Sequence, residues 1–336
     1  MKKRIKKLKN QVYITSCAAV GGRKEGEGPL GACFDYIDRS DRFGKSTWEQ
    51  SEAESQFMAL NFALNKRKCT AMELDVLLAG DLINQCTGSS YGLLDYDVPF
   101  LGIYGACSTC AEGLLLGGLL LDSGHFKKCA SVSSSHFCSA ERQFRSPIEY
   151  GGQRPPTSQW TVTGAGAFLL ETGCVEAPLA RITQVLPGIT QNGGINDPSN
   201  MGAAMAPAAL DSLLTFFKES QSKPSDFDLI LTGDLGYEGS RILRELSNKE
   251  GYFIDDVHND CGLMIYERKK QGVHAGGSGC GCAATVLSSK ILGELKQGRM
   301  KRVLFMATGA LMSADSLKQG LTIPAIAHIV CLEGVK

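Results

Sequence analysis

Cys107 stands in the run Gly105-Ala106-Cys107-Ser108-Thr109, between an apolar stretch ending near Tyr104 and a small-residue apolar segment that continues to Leu121. A thiol at the start of a helix faces unpaired amides and the positive end of the helix dipole, which favour a thiolate or a bound anion. The alternative reading is a buried structural thiol, a common fate of free cysteine. His258, in Asp256-Val257-His258-Asn259-Asp260-Cys261-Gly262, is one of five histidines. Among turn formers just after an apolar run, its imidazole suits a base or a ligand donor, or else an ordinary surface turn. Between Ser133 and Trp160, a polar and aromatic stretch carries Arg142, Arg145 and Arg154 together with Glu141, Tyr150 and Gln153. Guanidinium forks match the two oxygens of a carboxylate, so this segment reads as a binding lid or as a dimer contact.

Metal and nucleotide chemistry fit less well. Cys107-x-x-Cys110 and Cys280-x-Cys282 would offer four thiols to zinc, to an iron–sulfur cluster or to a redox disulfide. Ser108-Thr109 opens an apolar helix, however, and the second pair lacks the knuckle spacing. The glycine-rich run Gly276 to Gly281 lacks the Lys-Ser/Thr of a phosphate loop,. No metal and no cofactor are expected.

The elements that must position these residues occur twice. Leu74 to Leu82 reads LDVLLAGDL and Phe227 to Leu235 reads FDLILTGDL. A repeated strand with the same Gly-Asp-Leu ending implies a repeated fold unit. Each copy follows a helical segment. In the first, Thr47 and Gln50 suit a capping box, and Trp48, Phe57, Leu60 and Leu64 recur at roughly helical spacing,. In the second, Pro207 can open a helix that carries Leu210, Leu213, Leu214 and Phe217,. Downstream, Leu101 to Gly124 and Ala275 to Gly298 each hold a glycine turn and a small-residue helix, followed by basic residues and another apolar strand. The second copy has a longer interval between its Gly-Asp-Leu and its glycine turn, an insertion that includes His258. The halves are expected at 1–180 and 181–336, joined by Pro187 to Asn200, with Thr161 to Leu170 and Ile326 to Leu332 as their closing strands. Apolar strands such as Val303 to Ala307 lack polar alternation and should be buried on both faces. The resulting fold class is α/β with five αβαβα layers, in which two mixed sheets enclose the helices after Cys107 and Gly281.

Composition sets the outer bounds. The chain has 336 residues, 43% hydrophobic and 21% charged, which is a globular balance,. Lys plus Arg and Asp plus Glu are both 35, so no overall cationic field exists to hold nucleic acid,. An odd count of 13 Cys behind a charged start implies a reducing compartment and mostly buried thiols,. No apolar run approaches the length of a membrane span. Lys2, Lys3, Arg4, Lys6, Lys7 and Lys9 form a basic head, read as a solvated tail or as a foothold on an anionic membrane or a partner,.

These features together resemble the thiolase superfamily, which includes the ketoacyl-ACP synthases. Within it, the chain from about residue 12 onward resembles the stage V sporulation protein AD family. The matching stretches include Glu25 to Gly31, Leu78 to Leu82, Gly105 to Thr109, Ala140 to Arg145, Glu149 to Pro155, Trp160 to Gly164, Met201 to Ala209, Leu229 to Leu235, His258 to Tyr266 and Ala307 to Leu311. The resemblance implies that Cys107 matches the acyl-accepting cysteine and that His258 matches the first of its two polar partners. Cys280 falls at the second partner, where ketoacyl-ACP synthase III has Asn and the thiolases have His; a thiol is a poor oxyanion donor.

The implied function is non-catalytic binding of pyridine-2,6-dicarboxylate (dipicolinate), as such or as its calcium chelate, for uptake into the forespore. Its ligand-binding residues would be Cys107, His258, Cys280, Arg142, Arg145 and Arg154. The implied partners are the other stage V sporulation A proteins at the spore inner membrane and a second copy of the chain. The competing readings are a condensing or thiolytic acyltransferase acting on acyl-CoA or acyl-carrier-protein thioesters through Cys107, and a scaffold subunit with a vestigial pocket.

Overall fold

Strand β1 (Lys6–Gly22) begins a five-strand arrangement with β2 (Val76–Gly80), β3 (Phe100–Gly102), β4 (Lys128–Ser135) and β5 (Gly164–Thr172) in the computed structural model, which describes residues 3–144 and 154–335. Their spatial order is β1-β5-β4-β2-β3. The first two pairings are antiparallel and the last two parallel. The second half supplies β6 (Ala180–Leu186), β7 (Leu229–Thr232), β8 (His258–Asp260), β9 (Arg302–Ala310) and β10 (Pro324–Glu333), in the order β6-β10-β9-β7-β8. Their directions repeat those of the first half. The duplicated sequence is therefore a duplicated topology, and β1 pairs antiparallel with β6 to join the two sheets edge to edge.

Period-two burial explains why the strands read as unbroken apolar runs. In β9, Val303, Phe305 and Ala307 face the central core while Leu304 and Met306 face an outer one. In β2, Val76 turns inward and Leu77 outward. The outer face of the first half is covered by helix α1 (Trp48–Arg67), through Ala59, Leu60, Ala63 and Leu64. Helix α2 (Thr109–Asp122) lies between the halves, against β4 and β1 on one side and β9 and β10 on the other. The second half is covered by α3 (Met201–Ser220) and α4 (Gly236–Lys249), while α5 (Cys280–Val286) packs beside α2 on β4 and β5. Five layers result, with the two expected helices enclosed. Small residues permit this closeness: a Cβ on Gly166 would meet the Ala284 backbone at 2.7 Å.

Three local expectations are corrected. The Thr47 side chain accepts from the Gln50 amide, but Gln50 does not reciprocate and its side chain accepts from Ser46 Oγ instead. Helix α3 starts before Pro207, at Met201 under an Asn200 cap, so the proline lies inside it and forfeits a backbone bond there,. The basic head is not a solvated tail. Its backbone is tied down where Ile5 N donates to Glu219, Lys9 N donates to Asp122 and Lys6 pairs opposite Val185, and Arg4 forms an ion pair with Asp211. Ile5 is buried and Leu8 packs against the core, which anchors the segment while Lys6, Lys7 and Lys9 stay exposed. Among the described residues no helix is long and apolar enough to cross a membrane.

Candidate functional site

The turn from Gly105 into α2 presents Cys107 at the base of a cavity of about 490 Å³. Ala106 holds a left-handed backbone, φ +51°, a costly conformation for a residue with a Cβ and one that recurs at functional turns,. Gly309 backs this turn closely, since a Cβ there would lie 2.2 Å from the Gly105 carbonyl. Ser278 arrives from the other half because Gly277-Ser278 pairs in parallel with Trp160-Thr161. It stands 3.9 Å from the Cys107 sulfur. Leu82, Asn84 and Gln85 form one wall, Tyr104 and Gln143 another, and the segment from Ala310 to Ser316 a third, with Met201 completing the apolar lining.

The charged group beside Cys107 is Asp234, from the second Gly-Asp-Leu. Its carboxylate accepts from Ser278 Oγ at 3.2 Å, Gly279 N at 2.9 Å and Thr308 Oγ1 at 2.9 Å. Ser278 Oγ thus contacts both this carboxylate and the Cys107 thiol. Burial pushes Asp234 up to about 6 against the pull of these donors. Burial first, and then the negative charge of Asp234, drive the Cys107 thiol well above its ordinary value. The helix start therefore does not create a thiolate: desolvation and a neighbouring carboxylate outweigh the dipole.

His258 lies elsewhere. It opens β8, the edge strand beyond β7, and is not on the cavity wall. Arg244 Nε donates to its Nδ1 at 3.0 Å, so its Nε2–H donates to Thr232 Oγ1, also at 3.0 Å. Burial and the Arg244 charge lower its pKa to about 3, which leaves a neutral imidazole serving a structural chain from Arg244 through Thr232 to Asp260. Cys280 is near Cys107 in one apolar cluster with Leu82, Ala106 and Ala140, yet its S–H is spent on the Ser134 carbonyl at 2.8 Å. Arg142 forms a surface ion pair with Glu49. Arg154 pairs with Glu141 at 3.0 Å and lies 4.9 Å from the Trp160 ring centroid, pinning the chain next to the Trp160-Thr161 strand. Neither arginine lines the cavity, and Arg145 falls outside the described residues.

Sequence reasoning missed Asp234, although its signal was in plain view as the repeated Gly-Asp-Leu. The first copy's Asp81 does a different task, accepting from Ile83 N at 2.9 Å and from Ser89 N at 2.7 Å. It thereby ties down the loop that sets Asn84 and Gln85 on the cavity rim, where Gln85 and Cys86 are both left-handed. No Lys, Arg or His lines the cavity among the described residues, and Asp315 adds a carboxylate at its rim. Among those residues no cluster of three His, Cys, Asp or Glu is arranged to hold a metal ion.

The family model described as Stage V sporulation protein AD matches residues 2–333. Stage V sporulation protein AD of Bacillus subtilis (strain 168) is 42% identical over 326 residues, covering 97% of this chain and 95% of the relative. Among solved structures, 3-oxoacyl-[acyl-carrier-protein] synthase III from Aquifex aeolicus VF5 aligns with a TM-score of 0.58 at 16% identity, over 96% of this chain and 99% of that one. Human mitochondrial 3-ketoacyl-CoA thiolase aligns with a TM-score of 0.59 at 11% identity, over 98% and 100%. At such identities these two likenesses establish the thiolase-like fold and nothing about activity.

Proposed function

The chain belongs to the stage V sporulation protein AD family, and from that membership we propose that it binds dipicolinate in the Cys107 cavity without chemical turnover. The observation that carries the non-catalytic reading is the pairing of Cys107 with Asp234. An acyltransferase needs an activated thiol and free donors for an oxyanion. Here the thiol is held protonated, and the nearby Ser278 and Gly279 donors are committed to a carboxylate. Leu82, Ala106 and Leu311 supply apolar contact for a planar ring, while the side chains of Asn84, Gln85, Gln143 and Tyr104 supply donors for its carboxylates,. Cys107 and Ser278 form the floor under the ligand.

The protein acts in sporulation with the other stage V sporulation A proteins, peripherally at the forespore and spore inner membrane, on dipicolinate alone or as its calcium chelate. The halves divide near residue 180. Strand β3 ends the first sheet with an open edge, and Phe100, Leu101 and Tyr104 beside it are exposed. An open apolar edge of this kind suits pairing with a second copy; a sedimentation mass equal to one chain would exclude the dimer. Calorimetry with dipicolinate should give saturable one-to-one binding that Leu311→Trp, which fills the cavity, weakens at least about tenfold. Absence of binding heat in the unaltered protein would end the dipicolinate reading. A stoichiometric acyl adduct on Cys107 after incubation with acyl-CoA would instead support the condensing-enzyme alternative.

A further inference from the structure

We propose that Asp234 is the specificity-determining residue of the cavity: it keeps Cys107 a protonated thiol and requires an anionic ligand to enter together with a positive charge, supplied by a proton. This inference rests on the dipicolinate reading only in its second half. Ser278 Oγ, Gly279 N and Thr308 Oγ1 all converge on the Asp234 carboxylate, and Ser278 Oγ also lies 3.9 Å from the Cys107 sulfur. Ser278 and Cys107 both belong to the cavity wall. Asp234 thus fills from within the place that an incoming oxyanion would use.

Every titratable group facing it withholds positive charge. Cys107 at the start of α2, Asp260 at the end of β8, Cys261 just after it and Cys282 in α5 are each neutral or negative. Asp260 is itself satisfied by Thr232 Oγ1 at 2.6 Å and Leu235 N at 2.8 Å. No described cation lines the cavity and Asp315 stands at its rim; under the floor, behind Ser278, the charge that a proton can cancel is Asp234. Its acidity already lies near the physiological range, pushed up to about 6 by burial. A dicarboxylate placed over Cys107 adds negative charge a few ångströms away, and like charges in a desolvated site drive protonation of one member. A fully deprotonated dianion should therefore bind with proton uptake, and its affinity should rise as pH falls.

Two measurements on the full chain test this. The first needs no ligand: the rate of Cys107 alkylation by iodoacetamide, followed by peptide mass against pH. In Asp234→Asn the midpoint of the profile should move down by at least about one pH unit, making Cys107 roughly tenfold more reactive near pH 8. Asp234→Ser serves as a second variant should the amide unfold the protein. Unchanged profiles in folded variants would overturn the assignment. The second is calorimetry with dipicolinate near pH 7 in buffers of different ionisation enthalpy. The unaltered protein should take up at least half a proton per ligand, and Asp234→Asn none. Equal uptake in both would refute the proton-coupling half. If the unaltered protein shows no dipicolinate binding at all, the ligand reading fails while the alkylation profile still judges Asp234.

Discussion

A carboxyl held neutral by burial is an electrostatic cost that rises with pH, and this chain contains several. Glu52 is wholly buried, accepts from Ser134 Oγ at 2.9 Å and from Ser139 Oγ, and lies near Asp81. Burial and the Asp81 charge raise it from an ordinary 4.5 to about 8. Between these two values the folded protein holds a proton that the unfolded chain releases. The contribution to stability is full below pH 4.5 and is lost as pH rises through about 8. His258, lowered to about 3, works in the opposite sense, but only below its ordinary 6.5. Above that pH the buried carboxyls dominate. Thermal unfolding should therefore show Tm falling from pH 6.5 to 8.5, and Glu52→Gln should flatten the slope; a Tm that rises over this range would contradict the assignment. The local sequence misled here: Asp234 follows the strand Leu229–Thr232 whereas His258 opens the edge strand, and nothing local tells which of the two residues reaches the cavity floor. Cys107 was legible because its glycine turn is a local signal, whereas its protonation depends on a carboxylate supplied by the other half.

Elements were legible where they repeat. LDVLLAGDL and FDLILTGDL became β2 and β7 in equivalent positions, since apolar runs of this length demand burial on both faces,. Less visible were features decided by distant chain. The head joins β1 because Val185 and Gln184 offer a pairing edge, a contact across more than half the chain that no local pattern reveals. Helix packing gives a sharper test of how tightly the layers are fixed. A methyl on Gly166 would meet the Ala284 backbone at 2.7 Å, between a central strand and α5. Gly293, in the helical turn Leu292–Lys296, has nothing within 4 Å of the same position. Gly166→Ala should therefore lose about 1–3 kcal/mol by overpacking, whereas Gly293→Ala should gain up to about 1 kcal/mol from helix propensity. Denaturant titration of the pair separates sterics from propensity: equal effects would show that the central layers yield more readily than this packing implies.

Over the whole molecule, formal charge is balanced while its placement is not. Lys6, Lys7 and Lys9 project from a strand that is part of the sheet, so their charges are fixed at one end of that strand instead of being dispersed on a mobile tail. A fixed set of lysines loses less configurational freedom when it meets an anionic surface, and each contributes about 1 kcal/mol near such a membrane. Truncating residues 1–9 would be a poor test of this attraction, because it would also remove the Arg4–Asp211 pair and the buried Ile5. Replacing Lys6, Lys7 and Lys9 by Gln leaves the strand pairing intact and alters charge alone. Flotation with phosphatidylglycerol-containing vesicles at low salt should then show roughly a hundredfold loss of association, as expected for three such charges at about 1 kcal/mol each, and high salt should bring the unaltered protein down to the level of the variant. Equal flotation by both forms at low salt would show that these lysines do not hold the protein to an anionic membrane and serve only to keep the strand end solvated.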